Sequence, residues 1–144
     1  MVERKYQIQQ AFRDYIRRFI DDVSQVFPRE HITDLLIIKT YMSTQSDEHL
    51  IRVVEERSRP HRKELKKRNE KYFNQYALHI FGELPHNHVE IFRNFVLSTT
   101  EQNRKCIWSY IDALIRLSVE YTKLTLTPDQ LKLFIQREQE LLES

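Results

Sequence analysis

Glycine is almost missing from this sequence. The 144-residue chain has one, Gly82. That count excludes glycine-rich phosphate loops of the P-loop and dinucleotide kinds, and nucleophile elbows of the G-x-S-x-G type. Cysteine is as scarce. Cys106 alone allows no disulfide framework and no zinc site built on paired thiolates. Four prolines beside one glycine are too few for the turns of a loop-rich β protein. Long apolar runs are missing too. The longest is Leu35-Leu36-Ile37-Ile38, against the roughly 20 residues that span a bilayer. The opening Met1-Val2-Glu3-Arg4-Lys5 leads into mixed polar and aromatic residues, not an apolar signal core. No asparagine stands in an N-x-[ST] sequon. These absences set the expectation of an intracellular, reducing location without secretion.

What is present suits one helical domain over residues 1–144. The chain is 40% hydrophobic and 31% charged, and a chain of this size can bury about 68–70% of its unfolded surface. Over 3–26, Ile8, Phe12, Tyr15, Ile16, Phe19, Ile20, Val23 and Val26 recur at spacings of three and four, one face of an amphipathic helix. Pro28 ends it. A second helix spans 30–42. Its apolar run covers more than one face, so it is expected to be the most buried element. Ser46 followed by Asp47 and Glu48 is an N-cap with first-turn acids, opening a third helix that stops before Pro60. Pro60 suits the first position of a fourth helix running to 81 on a face of Leu65, Tyr72, Phe73, Tyr76 and Ile80, with Gly82 and Pro85 as its stop. A fifth helix covers 87–97. Thr100 caps a sixth, whose stripe includes Cys106, Ile107, Trp108, Ile111, Leu114, Ile115 and Tyr121. Thr127-Pro128-Asp129-Gln130 combines hydroxyl cap, N1 proline and capping-box glutamine, and starts a terminal helix. The fold expected is an all-α bundle of about six to seven amphipathic helices, with 127–144 docking either in cis or on a partner.

Several local patterns follow one another in a familiar order. Phe19-Ile20-Asp21-Asp22 precedes Val26-Phe27-Pro28. Pro60 to Leu65 precedes Lys67-Arg68-Asn69-Glu70-Lys71-Tyr72-Phe73, and Lys105-Cys106-Ile107-Trp108-Ser109-Tyr110-Ile111 precedes Leu114. Over residues 8–121 this resembles a group of small helical proteins encoded by nucleocytoplasmic large DNA viruses. In that group a Phe-Pro ends the first helix, an R-[DN]-E precedes an aromatic pair, and an I-W-x-Y opens a late helix. Asn69 stands where the group has an aspartate, and Ser109 and Asp112 replace its lysine and glutamine. The resemblance brings no catalytic residues. It implies a virion-associated or accessory protein, in host cytoplasm or virion, acting through surfaces.

Charge is segregated. Between Arg57 and Lys71 the net charge is +6, against +2 for the whole chain, so the remaining residues carry −4. On one continuous helix Lys63, Lys67 and Lys71 fall on a line, where like charges destabilise by a few tenths of a kcal/mol per pair. An anionic partner would offset that cost. Arg57, Arg59, Arg62, Lys63, Lys66, Lys67 and Lys71 are therefore the candidate anion-binding residues. A solvated face, with Glu64 offsetting Arg68 and Glu70 offsetting Lys66, is the plainer alternative.

Other constellations point away from chemistry. His86-Asn87-His88 has no helical partner at i+4 and reads as a polar loop start, so neither metal nor cofactor is expected. Asp21-Asp22 and Glu55-Glu56 are neighbours about 100° apart on a helix and cannot converge as an acid–base pair. Cys106 is expected buried and inert, and Asn69 is expected on the core face beside Leu65 and Tyr72. Trp108 belongs to the core. Tyr110 lies about 160° around the same helix and is a candidate interface anchor, as are Leu131, Phe134 and Leu141 of the terminal stripe, which also includes Ile135 and Leu142. The function expected is a non-enzymatic structural or adaptor protein with a protein partner or a second copy of itself. The alternative is nucleic-acid binding through 57–71.

Overall fold

Every element of the computed structural model, which describes residues 2–80 and 86–143, is helical. The order is α1 (Val2–Val26), α2 (Ile32–Ser43), α3 (Asp47–Ser58), α4 (Arg62–Lys66), α5 (Glu70–Ile80), α6 (His86–Ser98), α7 (Glu101–Leu124) and α8 (Pro128–Glu143). Single 3-10 turns at Arg29–His31 and Arg59–His61 precede α2 and α4. This is an all-α bundle. No helix among the described residues is long and apolar enough to cross a membrane.

The long helices α1 and α7 form the spine. They run antiparallel: Gln9 Nε2 donates to Tyr121 Oη at 3.0 Å near one end, and the Tyr110 hydroxyl donates to Asp22 toward the other. The stripe read from the sequence of α1 packs with Ile8, Phe12, Ile20 and Val23 buried, but Val26 at its end is exposed. Side chains at spacings of three and four share a face, so a stripe this long needs a second long helix to cover it. The apolar interior falls into two clusters. Phe73, Phe92, Phe95, Ile107 and Trp108 belong to the larger, and Ile8, Phe12, Ile51 and Tyr121 form the smaller. A cavity of about 120 Å³ lies where they meet, between Ile16, Leu50, Val54 and Leu114 on one side and Leu65, Phe73, Ile80 and Ile111 on the other.

Three N-caps form as their sequences imply. Ser46 Oγ accepts from His49 N at 3.1 Å, and Thr100 Oγ1 accepts from Asn103 N at 3.2 Å. Thr127 and Gln130 complete a reciprocal capping box, Gln130 N donating to Thr127 Oγ1 at 3.3 Å and Thr127 N donating to Gln130 Oε1 at 3.0 Å. Gly82 and Pro85, read as the stop of the fourth helix, lie outside the described residues.

The continuous fourth helix expected from 60 to 81 does not form. Pro60 sits inside the 3-10 turn, and α4 ends at Lys66 after five residues. Arg68 adopts φ 55, its N–H bonds to Leu65 O at 3.1 Å, and Asn69 N–H bonds to Glu64 O at 3.1 Å. Those bonds are a Schellman stop with arginine at the position that usually holds glycine. Asn69 then caps α5, its Oδ1 accepting from Tyr72 N at 3.1 Å, while its Nδ2 donates to Glu64 Oε2 at 2.8 Å. Asn69 is thus an exposed cap, not the core-facing amide expected.

Two further expectations are corrected. Helix α2 is not the most buried element: only Leu35 and Ile38 are buried, and Leu36 is 51% exposed. Its four-residue apolar run points all around the axis, but α2 packs on α1 and α6 from one side only. Cys106, expected in the core, is exposed. It occupies the edge of the α7 stripe, whose middle, Ile107, Trp108 and Ile111, is buried in the larger cluster, Trp108 meeting Phe73 of α5 edge-on.

Candidate functional site

The break at Arg68 dismantles the lysine line, since Lys63 lies in α4, Lys67 in the turn and Lys71 in α5. The expected charge offsets dissolve as well. Arg68 Nη2 pairs with Asp112 Oδ2 at 2.8 Å, Arg104 Nε pairs with Glu70 Oε1 at 3.1 Å, and Glu64 accepts from Asn69. What remains outward is a cationic knuckle of Lys66, Lys67 and Lys71, all exposed and without an ion pair among the described residues. Lys63 and Arg57 are half-buried.

Arg59 and Arg62 are both paired with acids of the chain. Glu55, buried on α3, accepts from Arg59 Nη2 at 2.7 Å and 2.5 Å through its two oxygens. Arg62 is only 4% exposed; its Nη1 pairs with Glu138 Oε2 of α8 at 3.1 Å and its Nη2 donates to Glu55 O at 3.2 Å. Burial pulls the Arg62 pKa down, and Glu138 and then Glu55 oppose that pull. Its Nε has no hydrogen-bond partner among the described residues. Arg62 is therefore withdrawn from the candidate anion-binding set, because it ties α8 to the bundle. Arg59 keeps a half-exposed side chain, but its charge is already matched.

Beside this network is a cluster the sequence reading missed. His61, 4% exposed, bonds through Nδ1 to the Tyr72 hydroxyl and through Nε2 to His79 Nδ1 at 2.6 Å. Tyr76 packs on Tyr72 with ring centroids 4.5 Å apart and on His61 at 5.5 Å. Desolvation, then the neighbouring His79, lowers the His61 pKa. Burial is the larger cause raising that of Tyr72, followed by Tyr76 and Glu64. Such a chain can share a proton from exposed His79 inward to a phenol. Its members are 11 and 18 residues apart, so no local motif announces it. The only available signal was a histidine in the first turn after Pro60.

Tyr110, expected as a surface anchor, is committed within the chain. Its ring stacks on Phe19 at 5.2 Å and meets Tyr15 edge-on at 6.2 Å. Donation to the Asp22 carboxylate, then burial, pushes its pKa up to about 12. It is removed from the interface set. Trp108 is core, as expected, and its Nε1 has no hydrogen-bond partner among the described residues.

Helix α8 differs from the rest. Among its described residues none is buried. Leu131, Phe134 and Leu141 are half-buried, and Leu133, Ile135 and Leu142 are exposed, Leu133 by 54%. It touches α4, but stands off α7 across an open cleft of about 530 Å³ lined by Arg62, Lys66, Arg116 and Lys123 together with Asp112, Glu120 and Glu138.

His88, grouped with His86 in the sequence reading, lies in the first turn of α6, within the helix expected over 87–97, and its Nδ1 bonds to Asp34 Oδ1 at 2.6 Å. The His86 side chain is outside the described set. Among the described residues no three His, Cys, Asp or Glu side chains are grouped to hold a metal ion. No protein-family model, no curated protein and no solved structure matches the chain.

Proposed function

We propose that this protein is a non-enzymatic structural or adaptor component that works by protein–protein contact, with α8 as its docking element. The resemblance over residues 8–121 extends the proposal to a virion-associated or accessory protein of a large DNA virus. The observation that carries it is α8 itself: sixteen residues with no buried side chain, fixed at Glu138 and displaying Leu133 and Ile135. Isolated helices of this length are marginal in water, so a capped amphipathic helix half out of its bundle fits one completed by a second surface. Light scattering of the full chain tests this. Self-association or a discrete complex is expected, lost in Leu133→Glu/Ile135→Glu with helicity retained. A strict monomer that binds no virion or host protein contradicts the proposal.

A second reading rests on the knuckle of Lys66, Lys67 and Lys71, an exposed cationic group that no acid among the described residues neutralises. As a nucleic-acid contact it predicts that replacing these lysines with glutamine weakens binding and flattens its salt dependence by about one unit per lost phosphate contact. Salt-insensitive binding, or none at low salt, removes this reading.

A further inference from the structure

The cavity between the two core clusters is a built apolar site. Its floor is buried Leu65, Phe73, Ile80 and Ile111, and one wall is formed by half-buried residues of α2 and α3, Tyr41 and Met42 facing Leu50 and Val54. These helices are consecutive in the chain yet barely touch, so that wall is a seam between them. Among the described residues no acidic side chain lines the cavity. The Ser58 hydroxyl, one of its few polar groups, is already bonded to Glu55 O at 3.2 Å. A space lined this way stays dry, and cavities of about 150 Å³ accept benzene-sized molecules. A second apolar void of about 60 Å³, toward Phe19 and Phe92, shares Met42 as a wall. Met42 has an unbranched, adaptable side chain, and a rotamer change there would join the two spaces into one narrow channel.

A cation on the cavity side of α3 selects the head group. Arg57 follows Val53 and Val54 by four and three residues and Leu50 by seven, which puts it on the same side of α3 as these lining residues, outside the lining itself. It is half-buried and makes no ion pair among the described residues. We infer that the cavity binds the aliphatic chain of a monocarboxylate, methylenes between α2 and α3 and against Met42, with the carboxylate on the Arg57 guanidinium. An arginine fork matches a carboxylate in geometry as well as charge. The inference is independent of the α8 reading.

Calorimetric titration of the full chain with saturated monocarboxylates from hexanoate to hexadecanoate, below their micelle concentrations, tests it. Binding of one molecule per chain is expected, tightening about fourfold per added methylene until the channel is full and then levelling off. Alkanols of matched length should bind about fivefold more weakly, and Arg57→Gln should erase that difference. Val54→Phe, which fills the cavity, should abolish binding with helicity unchanged. Should that variant fail to fold, the Met42 methyl resonance of the unaltered protein serves instead, since a chain in the channel must shift it. Absence of saturable binding, affinity that climbs without levelling, unimpaired binding by folded Val54→Phe, or an unmoved Met42 methyl would each overturn the inference.

Discussion

At the scale of single residues, His61 and Arg62 have the sharpest consequences. His61 is buried with a lowered pKa, so below the ordinary histidine value of about 6.5 the unfolded chain binds a proton that the folded chain resists. Its contribution is therefore present above pH 6.5 and is lost as pH falls toward the folded-state pKa. Urea midpoints should drop from pH 7.5 to pH 5, and His61→Gln should shrink the slope whatever it does to the midpoint at pH 7.5; an unchanged slope assigns the pH dependence elsewhere. Arg62→Ala leaves Glu138 facing a vacated buried site and should cost about 3 kcal/mol in denaturant unfolding. Arg62→Met/Glu138→Leu should recover most of that loss. Neither residue advertised this role. A sequence displays charge, whereas burial depends on what the rest of the chain lays over it.

At the scale of elements, caps were legible and the interruption was not. Ser46, Thr100 and Thr127 act on backbone N–H groups three residues away, so all the chemistry lies within one turn of sequence. The stop at Arg68 is also local, but it uses a non-glycine residue in the left-handed region, and glycine is the customary marker there. Arg68→Val puts a β-branched side chain at that φ and should cost about 1–2 kcal/mol. Arg68→Gly should escape most of it, and thermal unfolding of the pair separates the backbone effect from loss of the exposed Asp112 ion pair, worth at most about 1 kcal/mol. Equal losses in both variants would place the effect in the ion pair instead. Helix α2 teaches the converse lesson. An apolar run without a clear face does not show which side will be covered, and the neighbours α1 and α6 left Leu36 and Ile37 outside.

At the scale of the whole molecule, stability rests on the α1–α7 spine and the two clusters it joins. Phe12 is completely buried in the smaller cluster, and Phe12→Ala should cost about 4 kcal/mol, read as a shifted denaturant midpoint with an unchanged slope. The cavity between the clusters weakens the same core by about 3 kcal/mol at the usual cost per unit volume. Filling it with Val54→Phe should raise the midpoint if the ring fits. A lower midpoint would mean that the walls cannot accommodate it.

The sequence by itself determined the helical class, the stripes of α1 and α7 and the caps, because each depends on residues within a turn or two of one another. Tertiary structure alone decided that Arg62 is buried, that Tyr110 packs on α1, that His61 meets His79 and Tyr72, and that α8 stands off α7 across a cleft. These outcomes are fixed by which faces meet across separations of 11 to 88 residues. Helical periodicity says which side chains share a face; it is silent on what that face will touch.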